Sequence, residues 1–149
     1  MVNSDKSIFE YKIPPFVQVG AVLILILVFI LISSAAGYIG ISDSDSGTPW
    51  LIAVSLSFFF TIGNSVMSIA SDDMNKYWWQ SILSYALLVF LGGGIAYLFS
   101  GESMDLHGSY KWLYVMFGMG HIFFLILVRT LRKIVTIAKE QDHRLRGED

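Results

Sequence analysis

The chain has 149 residues and a formal net charge of −2, and 54% of its residues are hydrophobic while only 15% are charged. A soluble domain usually has about 25% charged residues, so this composition disfavours an ordinary soluble protein. The chain contains no cysteine, which excludes disulfides, thiol catalysis and cysteine metal sites.

Four long apolar runs predict an all-α integral membrane protein. The runs cover residues of about 16–41, 49–70, 77–99 and 110–131. Each is close to the roughly 20 residues that a helix needs to cross a hydrocarbon core. A spanning backbone must satisfy its own hydrogen bonds, so runs of this length become helices. We predict one four-helix membrane bundle over the whole chain, with a basic amphipathic tail at residues 132–149.

The first predicted span follows Pro14 and Pro15, which are tolerated where a helix begins. Residues 17–32 are almost uniformly apolar, as in a helix that faces lipid broadly. The sequence Ser-Ala-Ala at 34–36 would also suit cleavage of a signal peptide. The apolar stretch is longer than the usual signal-peptide core, so we predict that it is retained as a span. A mature N-terminus near Gly37 would instead indicate cleavage.

Small residues recur along one face of the second and third predicted spans. They are Ala53, Ser57, Thr61 and Ser65 in the second span, and Gly92, Gly93, Gly94 and Ala96 in the third. Such residues allow helix backbones to approach each other and to exchange hydrogen bonds, so we predict that both faces serve helix packing. The glycine triplet leaves a second interpretation open, namely a hinge or a helix break that lines a cavity.

The fourth span is predicted to continue as a helix beyond the membrane. Apolar and small residues follow a spacing of four and three, which places them on one face that we call the seam. The seam comprises Leu127, Leu131, Ile134, Ala138, Gln141 and Leu145. It is short and includes Ala and Gln, which does not suit a strong coiled coil. We predict that its cytoplasmic part binds a protein partner or a second copy of the chain.

Basic residues predict the topology. Six of them follow the last apolar run: Arg129, Arg132, Lys133, Lys139, Arg144 and Arg146. Four spans place this tail on the same side as Lys6, Lys12 and Lys76, and leave only Lys111 on the other side. Lys and Arg accumulate on the cytoplasmic side, so both termini are predicted to be cytoplasmic. A reporter fused to the C-terminus checks this, because accessibility from outside the cell would contradict it.

The same tail residues are candidates for contact with a partner or with anionic lipid. Acidic residues interleave with them from Glu140 onward, which weakens the field that nucleic-acid binding would need, so no nucleic acid is predicted. Tryptophan gives a further signal for the span boundaries. Trp50, Trp78, Trp79 and Trp112 all fall at predicted span ends, where amphipathic rings prefer the headgroup region.

Four polar residues inside the spans form the candidate functional site. They are Thr61, Asn64, Tyr85 and His121. Their distances from the span ends predict a shared layer near the midplane, where polar side chains often mark function. One interpretation is a neutral His121 that bonds to Asn64 or Tyr85 and fixes the helix register. The other is a proton-sensitive or ligand-binding group.

No catalytic constellation, metal-binding pattern or cofactor fingerprint is found, so no enzyme, metal or cofactor is predicted. The leading hypothesis is a non-enzymatic accessory, assembly or scaffold subunit in a bacterial-type cytoplasmic membrane. One alternative is an oligomeric transporter or channel for a small solute that uses the midplane site. A second is a haem or redox subunit, because histidine is a haem ligand, although only His121 lies within a span.

Overall fold

The computed structural model describes residues 13–41, 45–69, 71 and 73–147. These residues form long α-helices and one short 3-10 turn, and no strand occurs within the described ranges. The helices are α1 (Pro15–Tyr38), α2 (Thr48–Ser68), α3 (Met74–Ser100) and α4 (Gly108–Arg146), and the 3-10 turn at Met104–His107 precedes α4. Each of the four is long and apolar enough to cross a membrane. The prediction of an all-α chain with four such helices is confirmed.

Glycine and aspartate define several helix ends. Gly40 after α1 and Gly101 after α3 have φ of 72° and 69°, a left-handed conformation that glycine adopts without steric cost. At the start of α3, the Asp73 carboxylate accepts hydrogen bonds from the backbone N–H groups of Asn75 and Lys76, both at 3.1 Å. This aspartate is a favourable N-cap because it satisfies donors that have no partner within the helix. These residues therefore mark where α1 and α3 end and where α3 begins.

The helix α2 lies at the centre of the bundle and packs against the other three helices, whereas α1 packs on α2 and α3. Ile26, Leu88 and Leu125 are fully buried between them. Many large apolar side chains remain on the outside, such as Ile24 and Phe90 with exposed fractions of 65% and 78%. In water such a surface would favour aggregation, but in a bilayer it is the surface that contacts lipid.

Trp50 joins the two connections at one end of the bundle. Its indole N–H donates to the Glu102 carbonyl at 3.3 Å, and the Glu102 carboxylate accepts from the Ser46 hydroxyl at 2.8 Å. Trp50 is only 4% exposed, whereas Trp79 and Trp112 are 63% and 70% exposed. Trp50 lies at the start of α2, as predicted for a span end, but its indole is enclosed by the bundle.

Arg132 connects α4 to the opposite end of the bundle. Its Nη1 donates to the Ser71 carbonyl at 2.7 Å and lies 3.5 Å from the Ser68 carbonyl, where α2 ends. A cation at this position satisfies carbonyls that have no partner inside the helix and complements the negative end of the helix dipole. The contact fixes the register of α4 against the connection between α2 and α3.

The glycine triplet does not break α3, which is continuous from Met74 to Ser100. A Cβ atom added at Gly92 would lie 3.2 Å from Cδ1 of Ile26, and one added at Gly93 would lie 3.7 Å from Cζ3 of Trp50. Gly94 has open space at the same position. The hypothesis of a helix break is therefore wrong. Gly92 and Gly93 admit close neighbours, whereas a Cβ atom at Gly94 would meet no atom within 4 Å.

The helix α4 extends well past the point where α2 ends. From Arg132 to Arg146 it spans 14 steps, or roughly 21 Å at about 1.5 Å per residue. The seam residues of this extension are all exposed, from Ile134 at 56% to Leu145 at 87%. Within the described part of the chain, no other helix covers this face of α4.

Candidate functional site

A group of polar side chains joins all four helices inside the bundle, and we call it the polar cluster. It comprises Gln18 of α1, Asn64 of α2, Tyr77 and Ser81 of α3, and His121 of α4. Gln18 is half-buried and the other four are buried, with Asn64, Ser81 and His121 at most 1% exposed. Polar groups at such depth must bond to one another, because hydrocarbon offers no partner.

Asn64 is the centre of the polar cluster. Its amide nitrogen donates to Oε1 of Gln18 at 3.1 Å and to the Tyr77 hydroxyl at 3.3 Å. The Tyr77 hydroxyl donates in turn to the Asn64 backbone carbonyl at 3.2 Å. Gln18 closes the group by donating from Nε2 to the Tyr77 oxygen at 3.2 Å. The side chain and backbone of one residue of α2 thus connect α1 to α3.

Ser81 connects Asn64 to His121. Its hydroxyl donates to Oδ1 of Asn64, and its oxygen lies 3.0 Å from Nε2 of His121. A serine hydroxyl has a single proton. Because Ser81 gives that proton to Asn64, its oxygen remains as the acceptor that faces Nε2 of His121.

Aromatic rings enclose the imidazole of His121. The Tyr85 ring stacks on it with centroids 5.1 Å apart and an interplanar angle of 19°, and the Phe60 ring lies 5.9 Å away. The Tyr85 hydroxyl donates to the Tyr114 backbone carbonyl at 3.1 Å. Gly118 makes room for this arrangement, since a Cβ there would lie 3.1 Å from Cε1 of Tyr85. Tyr85 therefore positions His121 by packing and not by a hydrogen bond.

The hydroxyls on the small-residue face of α2 bond mainly within their own helix. Those of Ser57, Thr61 and Ser65 each donate to the carbonyl four residues earlier, at 2.8, 3.0 and 2.8 Å. The small residues Ala53, Ser57, Thr61, Ser65 and Ala96 are all buried. The expectation that this face exchanges hydrogen bonds between helices does not hold for these three hydroxyls, because each proton is given to a local carbonyl.

Three buried polar atoms beside the polar cluster make no hydrogen bond within the described part of the chain. They are Oγ of Ser84, the hydroxyl oxygen of Tyr114 and Nδ1 of His121. Tyr114 lies beside Ser57, and His121 lies beside the Thr61 backbone, but neither contact reaches hydrogen-bond geometry. Such atoms usually bind an internal water or a small polar molecule.

The polar cluster lies closer to one end of the bundle than the predicted midplane layer. Gln18 is three residues from the start of α1, Tyr77 is three from the start of α3, and Asn64 is four from the end of α2. His121 lies deeper, eleven residues before Arg132. Among the predicted residues, Asn64 and His121 are linked through Ser81, Tyr85 stacks on His121, and the Thr61 side chain is not bonded to them.

Sequence reasoning missed Gln18, Tyr77 and Ser81. Gln18 carries an amide in an otherwise apolar run, which is a usable signal. Tyr77 and Ser81 are four residues apart and precede Tyr85 by four more, so they share one helix face. Their polar character was obscured because tyrosine near a span end is also expected in the interfacial belt.

The geometry does not favour proton transfer along the polar cluster. Two of its five members, Gln18 and Asn64, are amides, whose N–H groups do not exchange protons as histidine or carboxylate groups do. Haem ligation through Nε2 of His121 also fits poorly, because Nε2 bonds to Ser81 and aromatic rings pack against the imidazole. Among the described residues, no group of three or more His, Asp or Glu side chains is arranged to hold a metal ion.

Comparisons with protein-family models, with curated proteins and with solved structures find nothing that matches this chain.

Proposed function

We propose that this protein is a non-enzymatic accessory or assembly subunit of the bacterial cytoplasmic membrane, with both termini in the cytoplasm. In this proposal the four helices anchor the protein, and the seam of the α4 extension binds a protein partner. The observation that carries it is the exposure of Ile134, Ala138, Gln141 and Leu145 on a continuous helix. An uncovered face with this spacing suits helix-in-groove recognition, in which residues at i, i+4 and i+7 act as anchors.

The anchoring of α4 supports this function. Arg132 holds the helix against the carbonyls of Ser68 and Ser71, just before the extension begins. The extension also has an internal ion pair between Arg146 and Asp142 at 3.1 Å, one turn apart. A helix fixed at its base loses less conformational entropy when a partner binds than a flexible tail would. The extension is therefore suited to presenting its seam in one orientation.

The polar cluster supports a structural role for the membrane part. Its members connect the helices directly, and Asn64 alone contacts Gln18, Tyr77 and Ser81. Each interhelical hydrogen bond of this kind contributes about 0.6 kcal/mol on average in membrane proteins. Several together fix the register of the four helices without any charged group.

A transporter for a small polar solute is the second candidate, favoured by the unpartnered atoms of Ser84, Tyr114 and His121. Two of these side chains carry hydroxyl groups that can donate, and all three atoms can accept a hydrogen bond when they carry a free lone pair. Solute flux into liposomes that contain the purified protein distinguishes this function from the first. Flux that depends on His121 would replace the accessory role.

Ending the chain after Lys133 tests the proposed function. We expect the shortened protein to insert into the membrane and to have the same free energy of unfolding as the full chain, because Arg132 and the polar cluster remain. Partner proteins recovered with the full chain in mild detergent should be lost, since the exposed part of the seam is removed. The measurement is quantitative mass spectrometry of the co-purified proteins.

A matched pair of substitutions controls for the general effect of shortening. Leu145→Glu places a charge on the seam, whereas His143→Glu places it two residues away on the opposite face. Only Leu145→Glu should reduce partner recovery. If the full chain, the shortened chain and both variants recover equal amounts of partner proteins, the seam does not bind them.

A further inference from the structure

A groove opens where α2 ends and α4 continues. It has a volume of about 440 Å³, and its walls come from the end of α2 and one face of α4. The walls comprise Ile69, which directly follows α2, and Val128, Leu131, Arg132, Val135, Thr136 and Lys139 from α4. Leu131 belongs to both the groove and the seam, but the other groove residues of α4 lie about a third of a turn away from the seam.

The lining of the groove changes from apolar to cationic along α4. Val128 and Leu131 lie at the end toward the bundle, whereas Thr136 and Lys139 lie at the end toward the C-terminus. From Val128 to Lys139 the helix rises roughly 16 Å at about 1.5 Å per residue. This length is enough to reach from the acyl chains through the headgroup region, which is about 5–8 Å deep on each side of a bilayer. The groove therefore has the polarity of a phospholipid molecule, in the orientation that the bilayer imposes.

The charge of the groove is also suited to an anionic headgroup. Its two charged residues, Arg132 and Lys139, are both cationic, and α4 contains no Asp or Glu before Glu140. The nearby Asp73 carboxylate already accepts two backbone hydrogen bonds as the N-cap of α3. Arg132 is held in place by contacts through Nη1, and the guanidinium has further N–H donors that match phosphate geometry.

We propose that this groove binds an anionic phospholipid. One acyl chain lies against Ile69, Val128 and Leu131, and the headgroup phosphate lies between Arg132 and Lys139. Basic pockets between membrane helices commonly bind anionic headgroups in this way. The site requires only that this end of the bundle lies at a bilayer surface. It is independent of which side is cytoplasmic and of whether the seam binds a partner.

Native mass spectrometry of the full chain in detergent tests the site, with phosphatidylglycerol and phosphatidylcholine supplied in equal amounts. We expect the protein to retain phosphatidylglycerol preferentially. Lys139→Gln should reduce its affinity for phosphatidylglycerol by about fivefold, which corresponds to about 1 kcal/mol for one cation near the surface. Lys133→Gln removes the same charge from a different face of α4 and should leave the affinity unchanged.

A third variant, Val135→Glu, tests the groove wall. It places a carboxylate beside the proposed lipid and should abolish the preference for phosphatidylglycerol. Equal losses with Lys139→Gln and Lys133→Gln would overturn the proposal, because they would indicate general attraction to a basic surface. Equal retention of the two lipids by the unmodified chain would overturn it as well. A dimer that Val135→Glu dissociates, without any lipid preference, would assign the groove to a second copy of the chain.

Discussion

Replacing Gly92 with leucine is expected to destabilise the bundle, whereas the same change at Gly94 is expected to leave it unchanged or slightly more stable. A Cβ at Gly92 already lies 3.2 Å from Cδ1 of Ile26, so a leucine side chain has to displace α1. Overpacking of this kind typically costs about 1–3 kcal/mol. At Gly94 the added side chain enters open space, and leucine is the better helix former by several tenths of a kcal/mol.

Gly94→Leu is the control for Gly92→Leu, because both variants add the same side chain to the same helix. The measurement is unfolding in mixed micelles with increasing sodium dodecyl sulfate, followed by tryptophan fluorescence. We expect the two midpoints to differ by the equivalent of about 1–3 kcal/mol, which is the cost of overpacking, because the gain in helix propensity is common to both variants. Equal midpoints would mean that α1 does not pack against α3 at Gly92.

The number and approximate limits of the helices follow from hydrophobic run length alone. The run predicted over about 49–70 corresponds to α2 at Thr48–Ser68, and the run over 77–99 lies within α3 at Met74–Ser100. Length and hydropathy predict such helices well because the bilayer imposes them on any spanning segment. No comparable rule predicts which helices contact each other. The burial of Trp50 against Gly93 depends on which helices are neighbours, and a single sequence does not contain that information.

The candidate site is predictable only in part, because a single sequence does not show which helices are neighbours. Asn64 and His121 are conspicuous because polar residues are rare in apolar runs. Ser81, which joins them, is an ordinary small residue whose role appears only when α2, α3 and α4 are placed together. The depth of Thr61 in its span predicts that it belongs to the candidate site, but its hydroxyl donates to the Ser57 carbonyl of its own helix. Depth alone does not specify which way a side chain points.

Replacing Asn64 with leucine is expected to cause the largest loss of stability of any single change in the polar cluster. The substitution preserves most of the volume but removes the bonds to Gln18, Tyr77 and Ser81. At about 0.6 kcal/mol on average and at most about 1.7 kcal/mol for each interhelical contact, three contacts correspond to about 2–5 kcal/mol. The measurement is the same detergent unfolding. Ser65→Ala is the control, because Ser65 is also buried on α2 but bonds to its own helix.

A double-mutant cycle separates the hydrogen bonds of Asn64 from a general effect of its burial. Asn64→Leu, Ser81→Ala and the double variant should show a coupling free energy of about 1 kcal/mol, because the two residues contact each other. Once Asn64 is gone, the Ser81 hydroxyl is free to donate to Nε2 of His121, which changes the hydrogen bonding of the imidazole. We therefore expect the His121 ¹⁵N shifts in a nuclear magnetic resonance spectrum to change in Asn64→Leu and not in Ser65→Ala. A stability loss without coupling and without a change in those shifts would mean that Asn64 packs against its neighbours but does not hold the imidazole.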